Sequence, residues 1–192
     1  MTRLFRYTAA CCFLSTTLLS GCSTLKTPIE TVYIPELSLP GWKTGYANNQ
    51  ENEAVVEFIP AGETIKNWSQ IYTIQFMKGI QVPPETYAGY MMGVISQQCQ
   101  EVSSKEIEQN KTSVLFEWDA YNCKTPSTWT DYKGANGSQH EIARILVGND
   151  GLHRIAYTQK DGAIPETIRA TMIKSMQSAY VEKDGEPVVL KK

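Results

Sequence analysis

Apolar residues recur along this chain at two spacings, and the switches between them mark its elements. Over residues 69–77, Ile71, Thr73 and Gln75 fall on one parity and Tyr72, Ile74 and Phe76 on the other, which suits a strand with one well-buried face. Residues 54–59, rich in Val, Phe and Ile, predict a strand before it, and 42–46 a shorter one. The spacing changes to three and four at Ala88, Met91 or Met92, Ile95 and Cys99. This helix opens at Pro83-Pro84-Glu85-Thr86, where proline fits the first turn and the acid meets the positive end of the dipole. Gly89 and Gly93 weaken it by about 1 kcal/mol each relative to Ala, and are expected to let it approach a sheet closely.

Alternation returns at 102–108 and 112–118, a hairpin around Gln109-Asn110-Lys111. A second hairpin is expected at 140–147 and 152–159, joined by Gly148-Asn149-Asp150-Gly151. Pairing Val147 with Leu152 sets Arg144 beside Ile155 and Leu146 beside His153. Pro165-Glu166-Thr167 opens a last helix, with Ile168, Met172, Met176 and Ala179 as its apolar stripe and Ile173 and Tyr180 alongside. Residues 188–190 could add a short strand. The order predicts an α+β domain: an antiparallel sheet of about six strands with two main helices packed on it. The β-hairpin and helix order is loosely similar to the Mog1/PsbP-like sandwich.

The N-terminus has a different pattern. Arg3 and Arg6 precede an apolar run over 7–19, too short to span a bilayer as a helix. It ends in Leu19-Ser20-Gly21-Cys22, which resembles the lipobox of bacterial lipoprotein precursors. The resemblance implies that 1–21 is a signal peptide, removed before a diacylglyceryl thioether and an N-acyl chain anchor Cys22 in a membrane. Ser23 in place of Asp implies, by the enterobacterial sorting pattern, the outer membrane with the mature domain in the periplasm. Residues 22–40 carry Pro28, Pro35 and Pro40 and read as an extended tether; the 18 residues after Cys22 reach at most about 60 Å. An edge strand at 31–34 is the other reading. Residues 41–192 are then one α+β domain.

The lipobox also sorts the five cysteines. Cys11 and Cys12 leave with the leader and Cys22 carries lipid, so Cys99 and Cys123 remain in an oxidising compartment. One disulfide is the simplest reading, closing a loop of about 25 residues for roughly 3–4 kcal/mol. Two buried thiols or a metal pair are the alternatives. The only histidines, His140 and His153, fall on expected strands without ligand spacing, so no metal site is expected.

Composition is ordinary, at 42% hydrophobic and 20% charged, so a packed core is expected. Losing the leader, with two arginines and no acid, takes the formal net charge from −2 to −4. No basic cluster precedes Lys191-Lys192, which argues against nucleic acid as a partner.

Candidate chemistry is sparse. No nucleophile elbow, phosphate loop or dinucleotide fingerprint occurs, and neither cofactor nor catalytic residue is assigned. Two aromatic stretches could contact a glycan or protein partner: the turn from Glu63 to Trp68, and Trp129-Thr130-Asp131-Tyr132 in the aperiodic stretch 120–138. The plainer reading comes first for both: a turn whose tryptophan packs on the sheet edge, and a loop pinned by its own aromatics. Glu57-Phe58-Ile59-Pro60, Gly62-Glu63-Thr64, Asn67-Trp68 and His140-Glu141-Ile142-Ala143-Arg144 with Gly148 resemble a group of uncharacterised proteobacterial envelope proteins. That resemblance carries no activity but marks Glu63, Trp68, Glu141 and Arg144; the last two could be surface charges or an ion pair. The expectation is a non-enzymatic binding or scaffold lipoprotein with an envelope protein partner, as an accessory to an envelope or secretion complex. The alternative is a periplasmic small-molecule or cell-wall-fragment hydrolase or binder with 120–138 as its lid.

Overall fold

The computed structural model describes residues 30–124 and 137–188. The chain runs β1 (Thr31–Tyr33), β2 (Trp42–Asn49), β3 (Glu53–Pro60), β4 (Gln70–Lys78), α1 (Pro84–Gln98), β5 (Glu101–Asn110) and β6 (Ser113–Cys123). It continues through β7 (Gly137–Val147), β8 (Gly151–Lys160), α2 (Glu166–Ser178), β9 (Tyr180–Lys183) and β10 (Glu186–Pro187).

The described chain is mostly β, which corrects the expected six-stranded α+β arrangement. Seven antiparallel strands form one sheet in the order β2-β3-β4-β8-β7-β6-β5, and three more form a second sheet, β1-β9-β10. The short strands account for the difference. β9 starts where helical spacing still runs through Ala179 and Tyr180; Ala179 is already extended, at φ −71° and ψ 143°. β1 falls inside the expected tether and pairs Val32 with Val181. Residues from Glu30 on therefore belong to the domain and not to a tether.

Strand alternation gives the large sheet two buried faces. On one, Tyr72, Leu115, Ile142, Leu146, Ile155 and Tyr157 pack under Met172 and Met176 of α2 and Val181 of β9. On the other, Phe116, Trp118, Ile145 and Leu152 pack under Ala88 of α1, with Met91, Met92 and Ile95 alongside. β4 is thus buried on both faces, with Ile71, Tyr72, Thr73 and Met77 all inside. The β7–β8 hairpin has the expected register, Arg144 opposite Ile155 and Leu146 opposite His153. The glycines of α1 do not bring it close to the sheet: a Cβ on Gly89 or Gly93 would meet nothing within 4 Å. A disulfide joins Cys99, at the end of α1, to Cys123, at the end of β6.

Edge strands expose unpaired backbone, and exposed charge discourages pairing with another chain. The β5 edge carries Glu101, Lys105, Glu106 and Glu108, all exposed.

Candidate functional site

A groove of about 420 Å³ opens where α2 leaves the large sheet uncovered. Its floor is β2, β3 and β4, where Ala47, Ala54 and Val56 are small enough to leave space beside Ile74 and Phe76. Thr31 and Val32 of β1 form one side, and Glu30 and His153 close the inner wall. β1 lies over the sheet because it pairs with β9, while α2 packs against β7 further along.

The inner wall rests on an arrangement between residues far apart in sequence. The Glu30 carboxylate is wholly buried and accepts hydrogen bonds from the amides of Asn149 and Asp150, each at 2.9 Å. Gly148 makes room for it: a Cβ there would overlap Glu30 Oε2. A buried carboxylate is costly unless its oxygens are satisfied, and the turn amides satisfy them. Asp150 in turn pairs with Lys183 of β9 at 2.8 Å, so the hairpin turn holds the start of β1 and the end of β9, which lie side by side at one end of the small sheet.

His153 Nε2 lies 3.7 Å from Glu30 Oε2 and has no hydrogen-bond partner among the described residues. Its ring stacks on Phe76 with centroids 4.7 Å apart. Burial lowers its pKa to about 4, partly offset by the charge of Asp150, so the imidazole is neutral at neutral pH.

The residues singled out from sequence lie elsewhere. Glu63 accepts from the amide of Ser69 at 2.7 Å and from its hydroxyl at 2.6 Å. Trp68 is buried against Ile59 and Ile71, with Ile65 alongside. The turn from Glu63 to Trp68 is therefore closed on itself and does not reach the groove. Cys22, Trp129, Asp131 and Tyr132 lie outside the described residues. Of the stretch 120–138, expected as a lid in the alternative reading, residues 125–136 lie outside the described residues. Its ends meet where Cys123 pairs with Gly137, while the groove lies beside the turn at Gly148. Along β7 these points are about 30 Å apart.

Glu141 and Arg144 do not pair with each other. Glu141 is buried and accepts from Trp118 Nε1 at 3.0 Å, Arg154 at 2.5 Å and Thr158 Oγ1 at 2.7 Å. Arg144, on the other face of β7, donates to the carbonyls of Met176, Gln177 and Ala179 and to Ser113 Oγ. These carbonyls lie where a helix C-terminus runs short of amide donors, the Met176 carbonyl accepting only from the Ala179 amide besides, so Arg144 caps the end of α2.

A second polar cluster was not foreseen from sequence. At the end of the sheet away from the groove, His140 Nδ1 lies 2.5 Å from Asp119 Oδ1, and the Tyr121 ring meets the imidazole edge-on. His140 is buried while Asp119 is half-exposed. The carboxylate can orient the ring. Among the described residues no three His, Cys, Asp or Glu side chains group as a metal site.

Glu30 also went unnoticed in the sequence. Its only local signal is a lone acid before the alternating Thr31-Val32-Tyr33-Ile34, and its partners lie in a turn more than a hundred residues away. No protein-family model matches the chain, and no curated protein matches it.

Proposed function

We propose that this protein is a lipid-anchored outer-membrane lipoprotein whose periplasmic domain works by binding. The groove carries this reading, because it is a concave, largely apolar cavity within the usual size range of ligand sites. The lipobox at Leu19-Ser20-Gly21-Cys22 and the following Ser23 support the address. The domain serves as a binding or scaffold subunit, an accessory to a larger envelope or secretion complex. Mass spectrometry of protein purified from envelopes tests the anchor: the acyl mass should sit on Cys22. Native mass spectrometry of the same material tests the binding, and a mass equal to the bare acylated polypeptide, with no partner recovered from cross-linked envelopes, removes the reading.

A second reading, a small-molecule or cell-wall-fragment hydrolase, is favoured by one observation, the Asp119–His140 pair beside exposed Tyr121. On that reading His140→Ala abolishes release of product from cell-wall fragments without changing anchoring. Unchanged turnover in the variant rules the pair out as its machinery.

A further inference from the structure

We propose that the groove beneath β1 holds one hydrocarbon chain of a membrane amphiphile whose head group is uncharged or zwitterionic. This deepens the binding reading above and rests on its lipid anchor. The place of the groove is the first argument. The described chain enters the fold at Glu30, which itself lines the groove. Cys22 stands eight residues earlier, so an anchor there holds the groove within at most about 28 Å of the lipid surface. The chain that fills the groove is therefore supplied by that surface.

Size and lining give the second argument. A volume of about 420 Å³ suits one chain rather than the paired chains of a phospholipid. Val32, Ala54, Val56, Ile74 and Phe76 offer apolar contact along its length, and each methylene removed from water contributes about 0.8 kcal/mol.

Charge gives the third. Glu30 is the one charged side chain among the lining residues, and no lysine or arginine lines the groove. An anionic head would find no cation in the lining, and the one charge there, that of Glu30 behind the inner wall, has the same sign. A fatty acid is thus disfavoured against a monoacylglycerol or a lysophosphatidylethanolamine of equal chain length.

The experiment uses the full-length lipidated protein in phosphatidylcholine vesicles. A monoacylglycerol with a diazirine on its chain is added and photolysed, and labelled peptides are mapped. Label is expected within 47–56 and 74–76. Unlabelled monoacylglycerol should compete at least tenfold better than the matching fatty acid. Ala47→Phe and Ala54→Phe fill the floor; whichever keeps the wild-type thermal transition should lose at least fivefold in labelling. Label confined to other segments, equal competition by the fatty acid, or undiminished labelling of a folded filled variant overturns the proposal. The acyl mass at Cys22 comes from the same digest. Groove label with Cys22 unmodified keeps the occupant and removes the anchor, whereas acylated Cys22 without groove label removes the occupant alone.

Discussion

Gly148 and Glu30 compete for one volume: the carboxylate of Glu30 occupies the space that a side chain at 148 would need. The same carboxylate accepts the next two amides of the turn. Gly148→Ala should therefore displace Glu30 and cost about 2–3 kcal/mol, the range for charge-assisted bonds to a buried group. Glu30→Ala should cost a similar amount and free β1 from the turn. Because both substitutions break one contact, the double variant should lose clearly less than their sum. Urea unfolding followed by tryptophan fluorescence measures all three, and additive losses would show that the contact does not couple the two positions.

Acid should weaken the fold through His153. Its folded pKa of about 4 lies below the ordinary 6.5, so the unfolded chain binds the proton more readily. Stability from this group is complete above about pH 6.5 and falls away as the pH drops towards 4. The loss is up to about 3 kcal/mol. The charged groups around the ring are Glu30 at 3.7 Å and Asp150, itself paired with Lys183. Subtracting the pH profile of His153→Gln from that of the wild type isolates the effect. A flat difference between pH 4 and 6.5 would contradict it.

Arg144 ends α2 from a distant strand. Arg144→Met should remove the guanidinium donor from the Gln177 and Ala179 carbonyls and from Ser113 Oγ, leave the Met176 carbonyl only its bond from the Ala179 amide, and cost about 2–4 kcal/mol. Arg144→Lys should recover only part of this, since one ammonium cannot reproduce the planar fork. Hydrogen exchange should report the loss first in the last turn of α2 and in β9. Uniform protection across those segments in the Met variant would refute the capping role.

The long hairpins and both helices were legible because each is set by its own residues. Gly148-Asn149-Asp150-Gly151 announces a turn, and the alternation on either side fixes the register between Val147 and Leu152. The end of α2 was not legible, because the spacing continues through Ala179 and Tyr180 and the stop comes from Arg144 on β7. β1 was legible only as an alternative to the tether, an edge strand at 31–34. Three residues between prolines carry almost no signal, and they become a strand only because β9 offers an edge. Trp68 and Glu63 drew notice through their chemistry but are held by neighbours in their own turn. The groove depends on small residues, Ala47 and Ala54, falling on one face of the paired strands β2 and β3. Absence of bulk is invisible until the strands are paired.

Reducing the Cys99–Cys123 disulfide should lower stability by about 3–4 kcal/mol, from the freedom returned to the 24-residue separation it spans. Cys99→Ser with Cys123→Ser should match the reduced wild type in denaturant midpoint. A midpoint equal to that of the oxidised protein would show that packing of α1 alone fixes this corner.

The order of the large sheet also sets how it assembles. β2-β3-β4 and β5-β6-β7-β8 are each built from neighbours in sequence, and a single ladder, β4 against β8, joins them. That ladder must bring Met77 to Leu152 across both α1 and the whole second meander. Local hairpins close cheaply, while a distant pairing bears the larger loop-closure entropy and slows folding. Substitutions in the β4–β8 seam, such as Ile74→Val or Ile155→Val, are therefore expected to slow refolding. The same change within either meander should act chiefly by speeding unfolding.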